Sequence, residues 1–496
     1  MNTISEFRPV ATEPEIVIGL VSPVGTDLQL IIRGLEKIFT DFKYNFHHIK
    51  ITDRFEEIAK EMEYPGIPVE RKSIRTEKFI EFGNCLRGVY GNDFLSRLAV
   101  WEIVEKRLSA GEGKKEKYSR NVFVINQLKT QGELELLRRC YGDAFFQISV
   151  YSARDIRVDH LAKTIAHQEN KRDSNPFRDK AEHLVNVDEN ENKANGQEVG
   201  EIFQLADYVV NVDRDSIQSV SSQVERFVRL LFSSNAISPN RFEYGMYLAH
   251  SAALRSLDLS RQVGAAVFRS SGEVATLGAN EVPKAGGGTY WCDDPYDARE
   301  YMLGHDSNDI RKSELLNEVI DILSPQSELS DDQKRRLKES QFMDALEYGR
   351  IVHAEMNALS DAARLGIELK NGILYCTTFP CHMCAKHIVA SGIAKVVFLE
   401  PYPKSLTADM HSDSVRIEGA SRGKYSQFPA SEFIPFYGVT PRRYREFFYR
   451  KKRKEKGKFL EYGSTGPRVI FTASEPLYGD TESFILKNLF RRSSPD

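Results

Sequence analysis

The sequence predicts an α/β protein with two domains, each built on a sheet covered by helices. Three observations support this prediction. A chain of 496 residues is too long for one ordinary core. Its first half alternates apolar strand patterns with amphipathic helix patterns, which is typical of a parallel sheet. From residue 241 the pattern changes to a long helix, a hairpin, and a strand–helix series that contains clustered His and Cys residues.

The first domain is expected over residues 15–221, after a flexible N-terminus at 1–14. The run EIVIGLVS predicts a buried strand, and DLQLIIRGLEKIF predicts the helix that follows it. The connecting turn contains Gly25, Thr26 and Asp27, and Gly19 lies upstream. A standard phosphate-binding loop carries GxxxxGK followed by Ser or Thr, but here the glycine spacing is longer and Thr26 stands in the place of the lysine. The loop is therefore interpreted as a nucleotide-binding or regulatory site, a structural remnant or an active kinase.

Further strands are predicted at NVFVINQL, FFQISVY and ADYVVNVD, with a helix at GELELLRRCYGDAF. In the order of its elements this domain resembles the P-loop nucleoside-monophosphate kinases. That resemblance implies phosphate-binding roles for Arg87, Arg154 and Arg157. The alternative is that all three are ordinary surface arginines.

Residues 222–240 are expected to form a connection that includes a helix, and 241–427 to form the second domain. In that domain QVGAAVFR and GEVATLGAN, joined by SSG, predict a hairpin. The charged segment 300–350 is expected to be an insertion or lid. Residues 428–496 are expected to pack on the second domain, with RKKRKEKGK as a solvent-exposed helix face or a phosphate or RNA contact.

The chemistry of the second domain is concentrated in HAEMNA and PCHMC. His353, Cys381 and Cys384 provide an imidazole and two thiolates, which are zinc ligands. Because structural zinc sites normally close with four protein ligands, three ligands predict a catalytic Zn²⁺ with a position for water. Cys381 and Cys384 share a helix face that begins after Pro380, whereas His353 and Glu355 are expected where the chain enters a helix.

Glu355 is expected to be the proton carrier rather than a ligand, because the carboxylate must take a proton from water and return it to the substrate. Cys376 alternates into the core of a strand and is interpreted as a buried thiol. His382 and His387 are interpreted as surface residues, although either could close a structural zinc site. Cys292 and His305 could belong to a second metal site, but no full ligand set accompanies them.

Residues from about 240 to 415, with VGA, Asn280, HAEMNA and PCHMC in this order, resemble the cytidine/deoxycytidylate deaminase superfamily. The resemblance implies an α/β/α domain, a zinc cofactor and hydrolytic removal of an amino group. It implies that Asn280 and Asn357 hold the base and sugar. Arg261 and Gln262 would lie on the phosphate side, as would Lys284 or Lys404.

A degenerate P-loop kinase-like domain ahead of such a deaminase also resembles the bacterial anti-phage dCTP deaminases. The phrases that carry this resemblance are ALRSLDLSRQVGAAVF, GANEVPKAGGGTYWC and EPYPKS. It implies conversion of dCTP to dUTP, with dCMP to dUMP as well, and depletion of dCTP in antiviral defence. The alternatives are a housekeeping dCMP deaminase gated by a nucleotide at the first domain, and a toxin-like module controlled there by a nucleotide or RNA.

Composition limits the partners that are expected. A formal net charge of −3 gives no sign of a dedicated nucleic-acid binder, which favours free deoxycytidine nucleotides as substrates. No apolar run approaches the roughly 20 residues needed to span a bilayer, and no secretory signal pattern opens the chain. Six cysteines do not indicate a disulfide framework, so a reducing cytoplasm is expected. The deaminase resemblance implies a homo-oligomer.

Overall fold

The structure is a computed structural model, and it divides the chain into two compact units. The first unit comprises Met1–Glu243, Glu418–Ser421 and Pro435–Asp496, and the second comprises Tyr244–Ile417 and Arg422–Ile434. The structure describes residues 13–64, 75–109, 118–189, 199–213, 217–323, 329–338, 340, 343, 345, 348–401, 405–450, 452–461, 468–471 and 478–492.

The strands of the described residues are β1 (Ile16–Val21), β2 (Asn45–Lys50), β3 (Asn121–Leu128), β4 (Phe145–Tyr151), β5 (Tyr208–Asn211), β6 (Gly264–Phe268), β7 (Val274–Ala279), β8 (Ile373–Thr378), β9 (Lys395–Glu400), β10 (Val415–Ile417), β11 (Ser431–Pro435), β12 (Gly438–Val439), β13 (Lys454–Glu455) and β14 (Lys458–Phe459). The helices are α1 (Gln29–Asp41), α2 (Phe55–Glu61), α3 (Arg75–Tyr90), α4 (Phe94–Ser109), α5 (Gln131–Tyr141), α6 (Arg154–Gln168), α7 (Arg178–Glu189), α8 (Val199–Phe203), α9 (Ile217–Leu231), α10 (Arg241–Ala253), α11 (Glu300–Leu303), α12 (Ser307–Leu323), α13 (Asp331–Lys338), α14 (Ala354–Leu365), α15 (His382–Ala390), α16 (Thr407–Met410), α17 (Tyr444–Phe448) and α18 (Tyr478–Lys487).

The first unit is built on a sheet with the strand order β12-β5-β4-β1-β3-β2. Strands β1 to β5 run parallel, as the alternation of strands and helices predicts. The strand β1 lies at the centre and all six of its residues are buried, which explains its continuous apolar sequence. The strand β2 was not predicted, because NFHHIK is largely polar and lies at the sheet edge with one fully buried residue.

The structure differs from the predicted domain borders in two places. The helix predicted within 222–240 is present as α9, but the segment is part of the first unit rather than a connection, because α9 packs on α1 and contributes Val224 and Phe227 to that unit's core. Residues 435–496 belong to the first unit and not to the second. There β12 pairs antiparallel with β5, and α18 packs on α4 and α5. The basic run at 450–458 contains an exposed two-stranded hairpin, β13 and β14, where a helix was expected.

A buried charged network ties the C-terminal helix into the first unit. Arg107, on α4, is 1% exposed and forms ion pairs with Glu15 at 2.8 Å and Glu482 at 2.7 Å. Tyr478 donates to Glu15, and Tyr141 donates to Glu482. Burying three charges is costly unless each is paired, so the network is an all-or-none arrangement. Because the network joins residues that are far apart in the sequence, local sequence patterns could not predict which unit the C-terminal residues pack on.

The second unit is built on a sheet with the order β10-β11-β9-β8-β6-β7. The predicted hairpin is confirmed as β6 and β7, which pair antiparallel, whereas β8 and β9 are parallel. The helix α14 packs directly on β7 because Gly278 has no side chain. A Cβ there would lie 2.1 Å from the carbonyl oxygen of Ala354, in the first turn of α14. Close approach of this helix to the sheet therefore requires glycine.

No helix among the described residues is long and apolar enough to cross a lipid bilayer.

We predict that Arg107→Ala lowers the free energy of unfolding of the first unit by about 3–5 kcal/mol, because Glu15 and Glu482 would remain buried without their partner. Equilibrium urea unfolding, followed by circular dichroism, measures the change. The control is Arg139→Ala, which removes an arginine that is 77% exposed and lies 3.8 Å from Glu135. Equal stability of the two variants would contradict a structural role for the network.

Candidate active site

Three side chains converge where two helices of the second unit begin. His353 is the residue before α14, and Cys381 is the residue before α15; both have extended backbone angles. Cys384 lies in the first turn of α15 and is fully buried. The strand β8 ends at Thr378 and delivers Cys381 to the start of that helix. The predicted placement of His353 at a helix entrance, with Glu355 in the first turn, agrees with this arrangement.

The three ligand atoms have the separations that a zinc ion requires. Nδ1 of His353 lies 3.5 Å from Sγ of Cys381 and 3.4 Å from Sγ of Cys384. All three atoms lie within 4.8 Å of one another. Usual Zn–S and Zn–N bond lengths at a tetrahedral angle give an N-to-S separation of about 3.6 Å. The residues therefore fit zinc, with one coordination position left for a fourth group.

The ionisable groups of the cluster shift one another's pKa values in different directions. The hydrogen bond with Cys381, together with burial, raises the pKa of the Cys384 thiol. Hydrogen bonds with Cys384 and His353 lower the pKa of the Cys381 thiol to about 3. The hydrogen bond with Cys381 raises the pKa of His353 to about 9, against the opposing effect of burial. Positive charge is thus already stabilised beside a thiolate, and a divalent cation would take over that role.

Glu355 lies beside the cluster without belonging to it. Its side chain is 4% exposed, and burial raises the pKa of its carboxyl group. The thiol of Cys376 lies next to this carboxyl group. Cys376 itself is fully buried among apolar side chains, and burial raises the pKa of its thiol. A carboxyl group whose pKa is raised holds a proton more readily than an ordinary one, which suits a group that must accept a proton and return it.

His353, Cys381 and Glu355 line a cavity of about 250 Å³. Two residues from the predicted substrate set, Arg261 and Asn280, line the same cavity. Asn280 accepts from the amide of Val263 at 2.7 Å and donates to Asp258 and to the carbonyl of Arg261. Arg261 is exposed and pairs with Glu400 at 3.1 Å.

Much of the remaining wall comes from the segment 300–350, which was expected to be an insertion or lid, but none of its residues was predicted to line the site. The residues of this segment that line the cavity are Glu300, Asp306, Asn308, Asp309, Lys312, Gly349 and Arg350. Charged runs usually form solvent-exposed faces, so nothing in the spacing singled these residues out. The available signal was their position between the hairpin and the metal-binding histidine.

Three other predicted substrate residues are not among the described residues that line this cavity. Asn357 is buried and donates to the carbonyl of Ala279 at 2.8 Å. Gln262 donates to the carbonyl of Ser256 at 2.8 Å, and Lys284 contacts both carboxylate oxygens of Asp294. Lys404 lies outside the described residues.

The loop resembling a phosphate-binding loop is filled by contacts within the first unit. The amide of Val24 donates to the carboxylate of Asp188 at 2.7 Å, and Lys129 pairs with the same carboxylate at 3.1 Å. Gly25 has a φ of +88°, and a Cβ there would lie 2.6 Å from the carbonyl oxygen of Arg157. An amide that would bind a phosphate thus already has an anionic partner.

Gly19, Thr26 and Asp27 differ from their expected roles in a phosphate-binding loop. Gly19 is not in the loop but within β1, where a Cβ would meet the side chains of Leu128 and Phe145. Thr26 is buried and donates to the carbonyl of Pro23. Asp27 accepts from the amide of Gln29, so its side chain caps the turn that precedes α1.

Gly25, Thr26 and Arg87 line a cavity of about 390 Å³ in the first unit. Arg87 is 3% exposed and pairs with the buried Glu133 at 2.9 Å. Arg157 is also buried and donates to the carbonyl of Val24, whereas Arg154 donates to the side chain of Asn186. The interpretation as ordinary surface arginines is therefore wrong for Arg87 and Arg157.

No second metal cluster is found among the described residues. Cys292 and His305 are exposed, and the one group of His, Cys, Asp and Glu residues in the described part of the chain that could hold an ion is His353, Cys381 and Cys384. His387 is exposed, and His382 is half-buried with its carbonyl near the ring of His411. Neither belongs to the cluster, which agrees with an open zinc site.

Comparison with known proteins identifies the region around this site. Residues 239–400 match the family described as the cytidine and deoxycytidylate deaminase zinc-binding region. The chain is 46% identical to the deoxycytidylate deaminase of Enterobacteria phage T2 over 54 residues, which are 11% of this chain and 29% of that protein. It is 27% identical to the human deoxycytidylate deaminase over 157 residues, or 32% of this chain and 63% of that protein. The chain thus spans less than two thirds of either relative.

Among solved structures, a dCMP deaminase from the cyanophage S-TIM5 is similar at 18% identity. The match covers 40% of this chain and 99% of that one, with a TM-score of 0.22. The second unit therefore carries a zinc-binding region of the deaminase type on the strength of its sequence match and its His/Cys/Cys group.

We predict that His353→Ala and Cys384→Ser each weaken zinc binding by more than roughly 100-fold, since loss of a ligand's hydrogen-bonding partner alone costs about 10–100-fold. Zinc retained after dialysis, measured by mass spectrometry, reports the effect. Cys292→Ser and His382→Ala are the controls and should retain the zinc of the unmodified chain. Loss of zinc from either control, or retention by Cys384→Ser, would contradict the ligand set.

Proposed function

We propose that this protein catalyses zinc-dependent hydrolytic deamination of free deoxycytidine nucleotides. The observation that carries the proposal is that His353, Cys381 and Cys384 form one ligand group, and that His353 and Cys381 line the cavity that Glu355 also lines. Three ligands, an open position and a buried carboxyl group form the set that attack by water on a nucleobase requires. The relatives named above act on deoxycytidylate, which supports a pyrimidine nucleotide as substrate.

Zinc, when bound by the three ligands, would supply a Lewis acid that lowers the pKa of water from about 15.7 toward about 7. Glu355 would accept a proton from the attacking water and deliver it to N3 of the cytosine ring. The oxygen adds to C4, and Glu355 would then take the remaining proton from this oxygen and deliver it to the amino group. The C–N bond breaks, ammonia leaves, and the C4 carbonyl of the uracil ring forms. The balanced reaction is dCMP or dCTP plus water, giving dUMP or dUTP plus ammonia.

The cavity supports a free nucleotide rather than a polymer. Arg261 and Arg350 are exposed and line it, so two guanidinium groups lie near a phosphate bound there. A formal net charge of −3 for the chain gives no general attraction for a nucleic acid.

We extend the proposal to dCTP as a substrate and to depletion of dCTP in antiviral defence. This extension depends on the resemblance of the chain to the bacterial anti-phage dCTP deaminases. Its alternative is a housekeeping dCMP deaminase gated by a nucleotide at the first unit. Relative rates on dCTP and dCMP, and loss of protection against phage in a Glu355 variant, distinguish the two.

A regulatory nucleotide at the first unit stays part of this proposal, with a structural condition. A phosphate that approaches the amide of Val24 must displace the carboxylate of Asp188, which that amide and Lys129 both contact. Binding of an anion and release of Asp188 would then be one event, so a nucleotide there would change the position of α7.

We predict that Glu355→Gln folds, retains zinc and loses at least about 10³-fold in the rate of ammonia release from dCMP and dCTP, because an amide cannot carry the proton between water and the base. Ammonia is measured by a coupled assay and zinc by mass spectrometry. Glu368→Gln, an exposed change in the same unit, is the control and should keep the wild-type rate. Wild-type activity in Glu355→Gln would show that another group moves the proton.

A further inference from the structure

Glu300 is a buried carboxylate in the wall of the active-site cavity that the proposed chemistry does not use. It is the first residue of α11 and its side chain is 3% exposed. It lines the same cavity as His353 and Glu355. Carboxylates are almost never fully buried unless they are paired, so its surroundings should reveal a partner.

The two oxygens of this carboxylate differ. Oε2 accepts from the amide of Ser307 at 2.9 Å, which joins α11 to the start of α12. Oε1 is buried and has no hydrogen-bond partner among the described residues. Leaving a buried acceptor without a hydrogen bond is unfavourable, and more so when the group is charged. A donor supplied by a ligand in the cavity would remove this cost.

The neighbouring cationic groups are engaged elsewhere. Arg299 donates to both carboxylate oxygens of Asp297 and lies 3.7 Å from Glu281. Lys312 donates to the carbonyl of Met343 and pairs with Asp309 at 2.9 Å. Neither cation therefore neutralises Glu300. A carboxylate at this place repels a phosphate and attracts a neutral hydroxyl or amino donor.

A deoxycytidine nucleotide offers two such donors, the amino group on C4 and the 3′-hydroxyl of the sugar. The amino group must lie at Glu355 and the zinc ligands for the proposed reaction. We infer that Oε1 of Glu300 accepts a hydrogen bond from the 3′-hydroxyl, which makes Glu300 a substrate-binding residue for the sugar. This inference rests on the proposed function and assigns one wall of its cavity to the sugar.

The test compares dCMP with 2′,3′-dideoxycytidine monophosphate, and likewise the two triphosphates, on the zinc-loaded full chain. For the wild type we expect kcat/KM to fall about tenfold to a hundredfold when the 3′-hydroxyl is missing, as a hydrogen bond to a charged group would give. For Glu300→Ala, kcat/KM on dCMP should be lower than that of the wild type by a similar factor. On the dideoxy substrate, kcat/KM of this variant should be close to that of the wild type. The ratio between the two substrates should therefore approach one in that variant.

Two further variants make the result decisive. Glu300→Gln keeps an acceptor for the Ser307 amide but presents a neutral group to the sugar, so its substrate ratio should lie between those of the wild type and Glu300→Ala. Glu314→Gln, an exposed change on α12, should keep the wild-type ratio. If Glu300→Ala does not fold, the substrate ratios of the wild type and of Glu300→Gln test the sugar contact.

Equal rates of the wild type on both substrates, or an unchanged ratio in the Glu300 variants, would overturn the sugar contact and leave the proposed deamination standing. Absence of ammonia release by the wild type from every deoxycytidine nucleotide would instead overturn the proposed function, and the sugar contact with it.

Discussion

The active site depends on how closely α14 approaches the sheet of the second unit. Gly278 of β7 faces the first turn of this helix, and any side chain there would collide with the carbonyl of Ala354. Two hydrogen bonds fix the helix along the strand: Thr276 donates to the carbonyl of Ala358, and Asn357 donates to that of Ala279. Because His353 directly precedes the helix, this contact sets the position of the first zinc ligand.

The helix α15 positions the other two ligands of the site, because they also lie at the start of a helix. β8 lies between β6 and β9 and ends where α15 begins, so Cys381 and Cys384 arrive opposite His353. Amides at a helix start favour anionic thiolates. Glu355, the second residue of α14, lies beside the ligands, and burial raises the pKa of its carboxyl group. Ligands and proton carrier are thus positioned by two helix starts rather than by flexible loops.

The parts of the site that depend only on local structure could be predicted from the sequence. Spacings of two and three residues determine which side chains lie together at the start of a helix. The metal ligands, Glu355 and the buried thiol of Cys376 are of this kind. The choice of hydrogen-bond partners could not be predicted, because it depends on tertiary neighbours. Asn357 fixes a helix to a strand, and Lys284 contacts Asp294.

The same distinction holds for the fold. Strands with continuous apolar runs, such as β1 and β3, were predicted, whereas the polar edge strand β2 was missed. The C-terminal residues were assigned to the wrong unit, because an ion pair between Arg107 and Glu482 spans most of the chain and leaves no local pattern. Glu300 was not predicted as a site residue, because only the folded cavity shows that one of its carboxylate oxygens has no hydrogen-bond partner among the described residues.

The central claim is that the second unit removes the amino group of a deoxycytidine nucleotide by hydrolysis at the site formed by His353, Cys381 and Cys384. The most direct test is to incubate the zinc-loaded chain with dCMP or dCTP in water enriched in oxygen-18 and to analyse the products by mass spectrometry. The account predicts the corresponding deoxyuridine nucleotide carrying the heavy oxygen on C4, with an equal amount of ammonia. A zinc-loaded chain that leaves both nucleotides unchanged would contradict it.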